Sequence, residues 1–492
     1  MITRKDLARL IYPEFRFGKT SIGQGLELVK AGVGGFCFYG GTAEEVRNAA
    51  KTLKSASDHP LLIAADYEEG VGRRVRGKTE LPANMALGAV ADDNLAKEFA
   101  YNKGLITGRE TVSLDLDWVF APVLDLAVNA DNPIVSLRSF GADEERTAML
   151  AAEYCKGLSD GGALSSIKHF PGHGRTDTDS HLALPRLDVP EDLLERTDML
   201  PFNRLKDIAD SIMAGHLLAL PLDSEYPASL SEKIITGIIR RKMNFNKVII
   251  TDALNMNALN DWGEPGILAL SAGADILLYP GDPFALIEAI EKAICDGTIP
   301  ESRVLEALER RESLVRHSEF IKENAKKRSD YEEIAPSEYN KTIATHSITH
   351  IRGEKCLENG ATVMYFEPCN TFENRQGRFF TDSLARYGIN AIPYDENSSN
   401  LGKIPLVCGI FTGPQAYSGK INLPPEQKTA LERALSKNRD HFVISFGSPF
   451  ALDGLNPAPR NAFVAYGQLP QFQECCAEIL AGKAKAMGRR PC

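Results

Sequence analysis

The sequence predicts an α/β fold: a (β/α)8-type TIM barrel, complete or one strand short, with a smaller α/β domain behind it. Three observations carry that expectation. Short apolar runs alternate with helical patterns through residues 1–300. A densely charged stretch over 300–335 breaks this rhythm, which then restarts. Polar residues suited to chemistry collect just after the apolar runs, at the strand ends where barrel enzymes place their active sites.

The strand candidates are Gly35–Tyr39, Leu61–Asp66, Leu116–Leu124, Leu164–His169, Ser211–His216, Val248–Asp252 and Ala274–Tyr279. Helical patterns separate most of them, at Ala43–Ser55, Asn94–Glu110, Glu144–Leu158 and Pro283–Cys295. Repeated strand-then-helix order implies parallel strands joined by helical crossovers. That number of strands favours a closed barrel over an open sheet, with the eighth irregular or absent. The charged stretch, from Glu301 through Arg310 and Arg311 to Glu333, reads as a solvated helix leading into a linker. Beyond it, Ala361–Phe366, Ile404–Phe411, Phe442–Phe446 and Ala462–Tyr466 read as strands. Pro425–Ser436 and Phe472–Leu480 read as helices, the first opening on a proline that loses no hydrogen bond there. The expected domains are therefore 1–330, a barrel ending in the charged helix, and 340–492.

Composition narrows the function. The 492 residues carry a net charge of −10, which argues against nucleic acid, whose phosphates need clustered Lys and Arg. The 9 cysteines are scattered without a Cys-x-x-Cys pair, so neither a zinc site nor a disulfide framework is indicated, and a reducing cytoplasm is expected. The first fifteen residues hold no apolar core of a signal peptide, and no apolar run reaches the roughly 18 residues of a membrane span.

The window Lys168-His-Phe-Pro-Gly-His-Gly-Arg-Thr-Asp-Thr-Asp-Ser-His181 carries the most chemistry. It holds three of the 9 histidines and follows a strand. Asp179 and His181 are spaced so that the carboxylate can fix the imidazole's tautomer and raise its basicity. A metal site from His169, His173, Asp177, Asp179 and His181 is the other reading, disfavoured because Pro171, Gly172 and Gly174 exclude the helical His-x-x-x-His geometry. Asp66, Glu68, Glu69, Asp125, Lys168, His169, His216 and Asp252 all close strands or follow them. Asp252 ends a buried run, as suits a nucleophile or a stabiliser of a cationic transition state; a helix N-cap is equally open. Arg74 and Arg138 are the cationic candidates, with a solvated basic patch as the bland alternative for the first.

Lys168–Gly174 followed by Asp179-Ser180-His181 resembles the signature of family 3 glycoside hydrolases, in their β-N-acetylglucosaminidase branch. Phe120–Asp125, Arg138–Gly141, the Asp252 segment and Ala272–Leu278 look like the same family in the same order. Val443–Pro449 and Val464–Gly467 look like its C-terminal α/β sandwich domain. The resemblance implies a retaining two-step glycosidase: Asp252 as nucleophile, His181 paired with Asp179 as acid/base, and Asp66, Arg74, Arg138, Lys168 and His169 holding the terminal sugar. It implies no cofactor and no metal. The partner is then a small-molecule carbohydrate, such as terminal N-acetylglucosamine of peptidoglycan fragments or chitooligosaccharides, with no nucleic acid and no membrane; a homodimer is left open. Two departures stand out. Val71 replaces a family arginine, and Ala253 replaces a second acid after the nucleophile. A phosphorylase or transglycosylase of the same sugar, a β-glucosidase and a non-catalytic sugar-binding protein are the rival readings.

Overall fold

The computed structural model describes residues 2–328, 335–413 and 422–492. They part into two compact units. The first comprises Met1–Leu81, Lys97–Leu126 and Glu144–Glu332; the second comprises Pro82–Ala96, Ala127–Asp143 and Glu333–Cys492.

Every strand pairing in the first unit is parallel. Glu14–Arg16, Gly35–Tyr39, Leu62–Ala65, Trp118–Val119 and Leu164–Ser165 form one ladder in that order. Ile167–Phe170, Ser211–Ala214 and Val248–Thr251 form a second, and Ile11–Tyr12 pairs with Leu277–Leu278. The strands thus fall into separate ladders, where the sequence suggested one closed sheet. Local chemistry accounts for two of the breaks. Pro13 has no N–H to give and splits Ile11–Arg16. Ser166 splits Leu164–Phe170, its N–H shared between the Val119 and Ala121 carbonyls at 3.1 Å each. Ile11–Arg16 was not offered by the sequence pattern, nor was the short parallel pair Arg186–Leu187 and Leu218–Ala219. In Ile11–Arg16 the central proline, with Glu14 and Arg16, hides the apolar signal.

The strands are buried on both faces, which is why they read as unbroken apolar runs. Alternate residues serve two clusters. Phe36, Phe38, Ile63, Ala65 and Val119 join one, together with helix residues such as Val46, Ala50 and Leu53. Cys37, Leu62, Ala64, Trp118 and Phe120 join the other, with Tyr12, Leu164, Met213, Ile250 and Leu278. The Trp118 ring meets Tyr12 edge-on at 6.1 Å and Phe120 at 5.1 Å. The intervening helices start on designed caps. Ser21 with Gln24 and Thr42 with Glu45 make capping boxes ahead of Ile22–Ala31 and Ala43–Ala56.

The charged stretch differs from expectation. It forms the helix Glu301–Lys327, and two of its arginines are buried rather than solvated. Arg311 donates to the Gly34 carbonyl at 2.8 Å and also to that of Pro60. Arg303 Nη2 lies 2.6 Å and Arg310 Nη1 3.0 Å from Asp275 Oδ1, while Arg240 pairs with Oδ2. Oδ2 also accepts the Ile249 N–H at 2.9 Å. Charges ahead of the strands therefore fasten the ladder, a role that composition cannot distinguish from solvation. Residues 329–334, where the linker was expected to run, lie outside the described residues.

The second unit has a six-stranded sheet in the order Thr349–Arg352, Asn461–Val464, His441–Ser445, Leu406–Ile410, Thr362–Phe366, Asn390–Pro393. Four of these strands were anticipated. The two edge strands were not, and Thr349–Arg352 runs antiparallel to its neighbour while the other pairings are parallel. Edge strands are half-exposed and lack the continuous apolar run of central ones. Leu406–Ile410 and His441–Ser445 are buried at every position, so both faces of the sheet's centre are covered. Helices Pro336–Ser347, Arg378–Arg386 and Pro470–Leu480 pack together beside it.

Replacing Asp275 by Asn leaves three guanidinium groups facing a neutral amide. Removing one partner of a buried ion network costs about 3–5 kcal/mol. Both tryptophans, Trp118 and Trp262, belong to the first unit. Urea unfolding followed by tryptophan fluorescence should show that loss for Asp275→Asn, and a midpoint equal to wild type would refute the fastening role.

Candidate active site

The site is assembled from loops that leave the C-terminal ends of the parallel strands. Asp252 directly follows Val248–Thr251. Its N–H donates to the Ala214 carbonyl of the neighbouring strand at 3.0 Å, and its Oδ1 accepts the Ala253 N–H at 2.7 Å. The helix-cap alternative does not hold, because the next helical turn begins at Asn257 with Met256 at its cap. Burial acts to raise the Asp252 carboxyl, but the fields of His169 and His216, the Ala253 amide and the field of His181 outweigh it and hold it at about 2. Three imidazoles thus act on one carboxylate, His169 from the strand Ile167–Phe170, His181 from the loop after it and His216 from just past Ser211–Ala214.

Each imidazole has its own anchor. His169 Nδ1 lies 2.6 Å from Oδ2 of Asp125, which is fully buried. Asp125 Oδ1 accepts the backbone N–H of His173 at 2.7 Å and that of His169 at 3.3 Å. Burial pushes the Asp125 carboxyl up, yet the His169 charge and hydrogen bond, with help from His173, bring it below the ordinary value. His181 Nδ1 lies 2.8 Å from Asp179 Oδ1, which also accepts the His181 N–H at 2.9 Å. An Nδ1–H given to a carboxylate places the basic lone pair of a neutral ring on Nε2. His216 Nδ1 lies 2.6 Å from the Ser229 hydroxyl, and its Nε2 lies 2.9 Å from the Ala253 carbonyl.

The loop between Phe170 and His181 needs its glycines for close approach. A Cβ on Gly174 would stand 1.8 Å from the Leu126 carbonyl oxygen. His173 Nδ1 meets the Thr176 hydroxyl at 2.7 Å. The histidines of this segment therefore go to separate partners. Among the described residues no cluster of three or more His, Cys, Asp or Glu is arranged to hold a metal ion.

Lys168 is 2% exposed, with its Nζ 2.7 Å from Asp66 Oδ1 and 2.6 Å from Glu68 Oε1. Behind it, burial lowers the Lys103 ammonium to about 8 against the pull of Glu69 and Glu68. Burial likewise raises the Glu69 carboxyl against Arg73 and Lys103. In the acidic run, Asp66 and Glu68 thus pair with Lys168, whereas Glu69 faces Arg73 and Lys103.

The two arginine candidates are placed differently. Arg74 is exposed, donates to the Tyr39 hydroxyl and stacks its guanidinium 4.7 Å from that ring's centre. Arg138 belongs to the second unit, where its Nη1 reaches the Ile134 carbonyl at 3.3 Å and its own carbonyl takes Asn84 Nδ2 at 2.8 Å. Three residues join the site that the chosen set omitted: Asp125, Glu68 and His216. Each closes or follows a strand run in the sequence, and that position was the available signal.

Residues 3–314 match the Glycosyl hydrolase family 3 N terminal domain, and the chain belongs to this glycoside hydrolase family. β-Hexosaminidase A of Pseudoalteromonas piscicida is 32% identical over 267 residues, 48% of this chain and 44% of that protein. A β-hexosaminidase of Actinobacillus pleuropneumoniae serotype 5b (strain L20) is 35% identical over 248 residues, 49% of this chain and 71% of that protein. The chain thus matches less than half of the first relative's length. The family 3 β-N-acetylglucosaminidase from Paenibacillus sp. str. FPU-7 has a TM-score of 0.84 at 27% identity, over 100% of this chain and 98% of that one. A β-glucoside phosphorylase shares the fold at a TM-score of 0.86 and 21% identity. No described helix is long and apolar enough to cross a membrane.

Asp125 gives a pH-dependent stability with a definite sign. Its carboxyl is lower when folded than the ordinary value near 3.9, so its ionisation stabilises the fold above that pH. The contribution is lost as pH falls through the folded value. The stability gap between wild type and Asp125→Asn should therefore be widest near neutrality and should narrow by pH 3. Urea titrations at both pH values read it, and a gap that widens on acidification would contradict the assignment.

Proposed function

We propose that the chain is a retaining exo-β-N-acetylglucosaminidase, acting on terminal N-acetylglucosamine of peptidoglycan fragments or chitooligosaccharides. One observation carries the reading. Asp252, at a strand end, stays ionised among His169, His181 and His216, with His181 itself held by Asp179.

An ionised carboxylate beside the anomeric carbon attacks it and forms a glycosyl-enzyme, while the glycosidic oxygen leaves with a proton. His181 supplies that proton from Nε2 and then takes one from water in the second step. Asp179 stabilises the ring when it is protonated and keeps its tautomer when it is not. Asp66, Lys168 and His169 hold the terminal sugar through charged hydrogen bonds to its hydroxyls. Arg74 and Arg138 are assigned sugar contacts on the resemblance of their motifs. The acid/base is an imidazole instead of the second carboxylate usual in retaining glycosidases.

The ladders of the first unit support a (β/α)8 barrel as its architecture. An isolated parallel bridge joins Ile250 to Ile276, another joins Val123 to Lys168, and one apolar cluster draws residues from every strand position around the ring. In this reading the barrel falls within 1–330 and the sandwich domain within 340–492, with Pro82–Ala96 and Ala127–Asp143 clustering with the second unit. Unpaired thiols at all nine cysteines fit a cytoplasmic setting.

The test is a pair of nitrophenyl glycosides, an N-acetylglucosaminide and a glucoside, with sugar products analysed in the presence and absence of phosphate. The N-acetylglucosaminide should be cleaved preferentially to free N-acetylglucosamine in both buffers; sugar 1-phosphate would identify a phosphorylase instead. Asp252→Ala should abolish turnover with every leaving group. His181→Ala should lower kcat/KM by about 10²–10⁴-fold for chitobiose and far less for the nitrophenyl substrate, whose leaving group needs little protonation. Equal losses on both substrates would remove His181 as the acid.

A further inference from the structure

His216 takes no proton or sugar in the scheme above, yet both of its ring nitrogens are engaged. The ring is fully buried. A carbonyl oxygen can only accept, so the 2.9 Å contact to Ala253 puts the proton on Nε2. In the neutral ring Nδ1 is then an acceptor and takes the Ser229 hydroxyl proton at 2.6 Å. Ser229 is buried, and its backbone N–H is tied to the Gly215 carbonyl at 3.2 Å. Both partners of the ring are therefore fixed in place.

The Ala253 peptide unit is the link to chemistry. Its N–H donates to Asp252 Oδ1 at 2.7 Å, and the carbonyl of the same residue receives His216. Upstream, the Asp252 N–H is pinned to the Ala214 carbonyl. The nucleophile's backbone is thus held on both sides, and one carboxylate oxygen is committed to the held segment. Resting on the reading of Asp252 as nucleophile, we propose that His216 is a positioning residue that acts through the Ala253 carbonyl to set the angle at which Asp252 faces the anomeric carbon. The groups facing it are Asp252 on the adjoining strand end, His169 on the neighbouring strand and His181 on the loop beyond. Burial keeps the ring below the ordinary histidine value against the pull of Asp252.

A merely space-filling histidine predicts something different from a clamp, and two amide variants separate them. Glutamine places an N–H near the Nε2 position and can keep the Ala253 contact. Asparagine reaches only the Nδ1 position and can keep only Ser229. The full-length chain is assayed with a nitrophenyl N-acetylglucosaminide and with 5-fluoro-N-acetylglucosaminyl fluoride, which traps the glycosyl-enzyme. Misplacing a reacting group by about 1 Å can cost ~10²-fold, so His216→Ala and His216→Asn should lower kcat and the trapping rate by about that factor with KM little changed. His216→Gln should recover most of the loss. Melting curves of the Gln and Asn variants confirm that both are folded. Equal rates for folded Gln and Asn variants, or a loss confined to KM, would overturn the clamp. Failure of the wild-type enzyme to label at Asp252 would instead overturn the nucleophile assignment, and the clamp with it.

Discussion

A carboxylate at the end of a buried strand has to be kept ionised, and at Asp252 imidazoles do this work. Removing a charge from water costs several kcal/mol in a protein interior unless other charges and hydrogen bonds offset it. At Asp252 the offset comes from His169, His216 and His181, with one backbone amide, and the balance leaves the carboxyl at about 2. His169 lies in the strand Ile167–Phe170, His181 on the loop that follows it and His216 just past Ser211–Ala214, so the carboxylate's state depends on how those strands pair beside Val248–Thr251. Slip one ladder and the offset is lost, while the burial penalty stays.

The two ends of the parallel strands use carboxylates in opposite ways. Ahead of the strands, Asp117 is paired with Lys54 and Lys322 and accepts the Ile63 N–H at 2.7 Å. Asp210 accepts the Ser165 N–H at 2.8 Å and faces His317 at 3.0 Å, and Asp275 faces Arg240, Arg303 and Arg310. Each of these acids is saturated by groups from neighbouring strands or the Glu301–Lys327 helix, so it fastens the sheet. Past the strands, Asp66, Asp179 and Asp252 are matched to lysine or imidazole. Those partners can donate hydrogen bonds, and an imidazole can exchange a proton. This division is the one expected of a parallel α/β enzyme, stability at the N-terminal ends and chemistry at the C-terminal ends.

On the proposed mechanism the choice of histidine over a second carboxylate has a physical consequence. A neutral imidazole carries no charge when it acts as base, so the negative charge of the dyad sits on Asp179, one ring away from the acceptor. Asp179 is almost fully buried and holds His181 through both its backbone and its ring. The pair is thus joined at two points within its loop, and Gly174, packed against the Leu126 carbonyl, allows the loop to lie close to the strand ends.

Much of this was legible in the sequence because it rests on local pattern. Parallel strands are buried on both faces, so they appear as continuous apolar runs, and all seven runs overlap observed strands, though Leu116–Leu124 holds only Trp118–Val119 and Leu164–His169 meets two strands. The strand-end positions of Asp66, Lys168, His169 and Asp252 followed from those runs, and the Asp179–His181 contact followed from a spacing of two. What the tertiary structure decided is what depends on groups distant in the chain. Ile11–Arg16 is a strand only because Gly35–Tyr39 and Leu277–Leu278 receive it; alone, its proline and charges say loop. Arg303 and Arg311 are buried because Asp275 and two carbonyls await them, whereas their own segment reads as solvated. Thr349–Arg352 joins its sheet antiparallel at an edge, where neither periodicity nor composition marks a direction. The convergence of His169, His181 and His216 on Asp252 was likewise invisible, since electrostatic fields act through space and the sequence records only order along the chain.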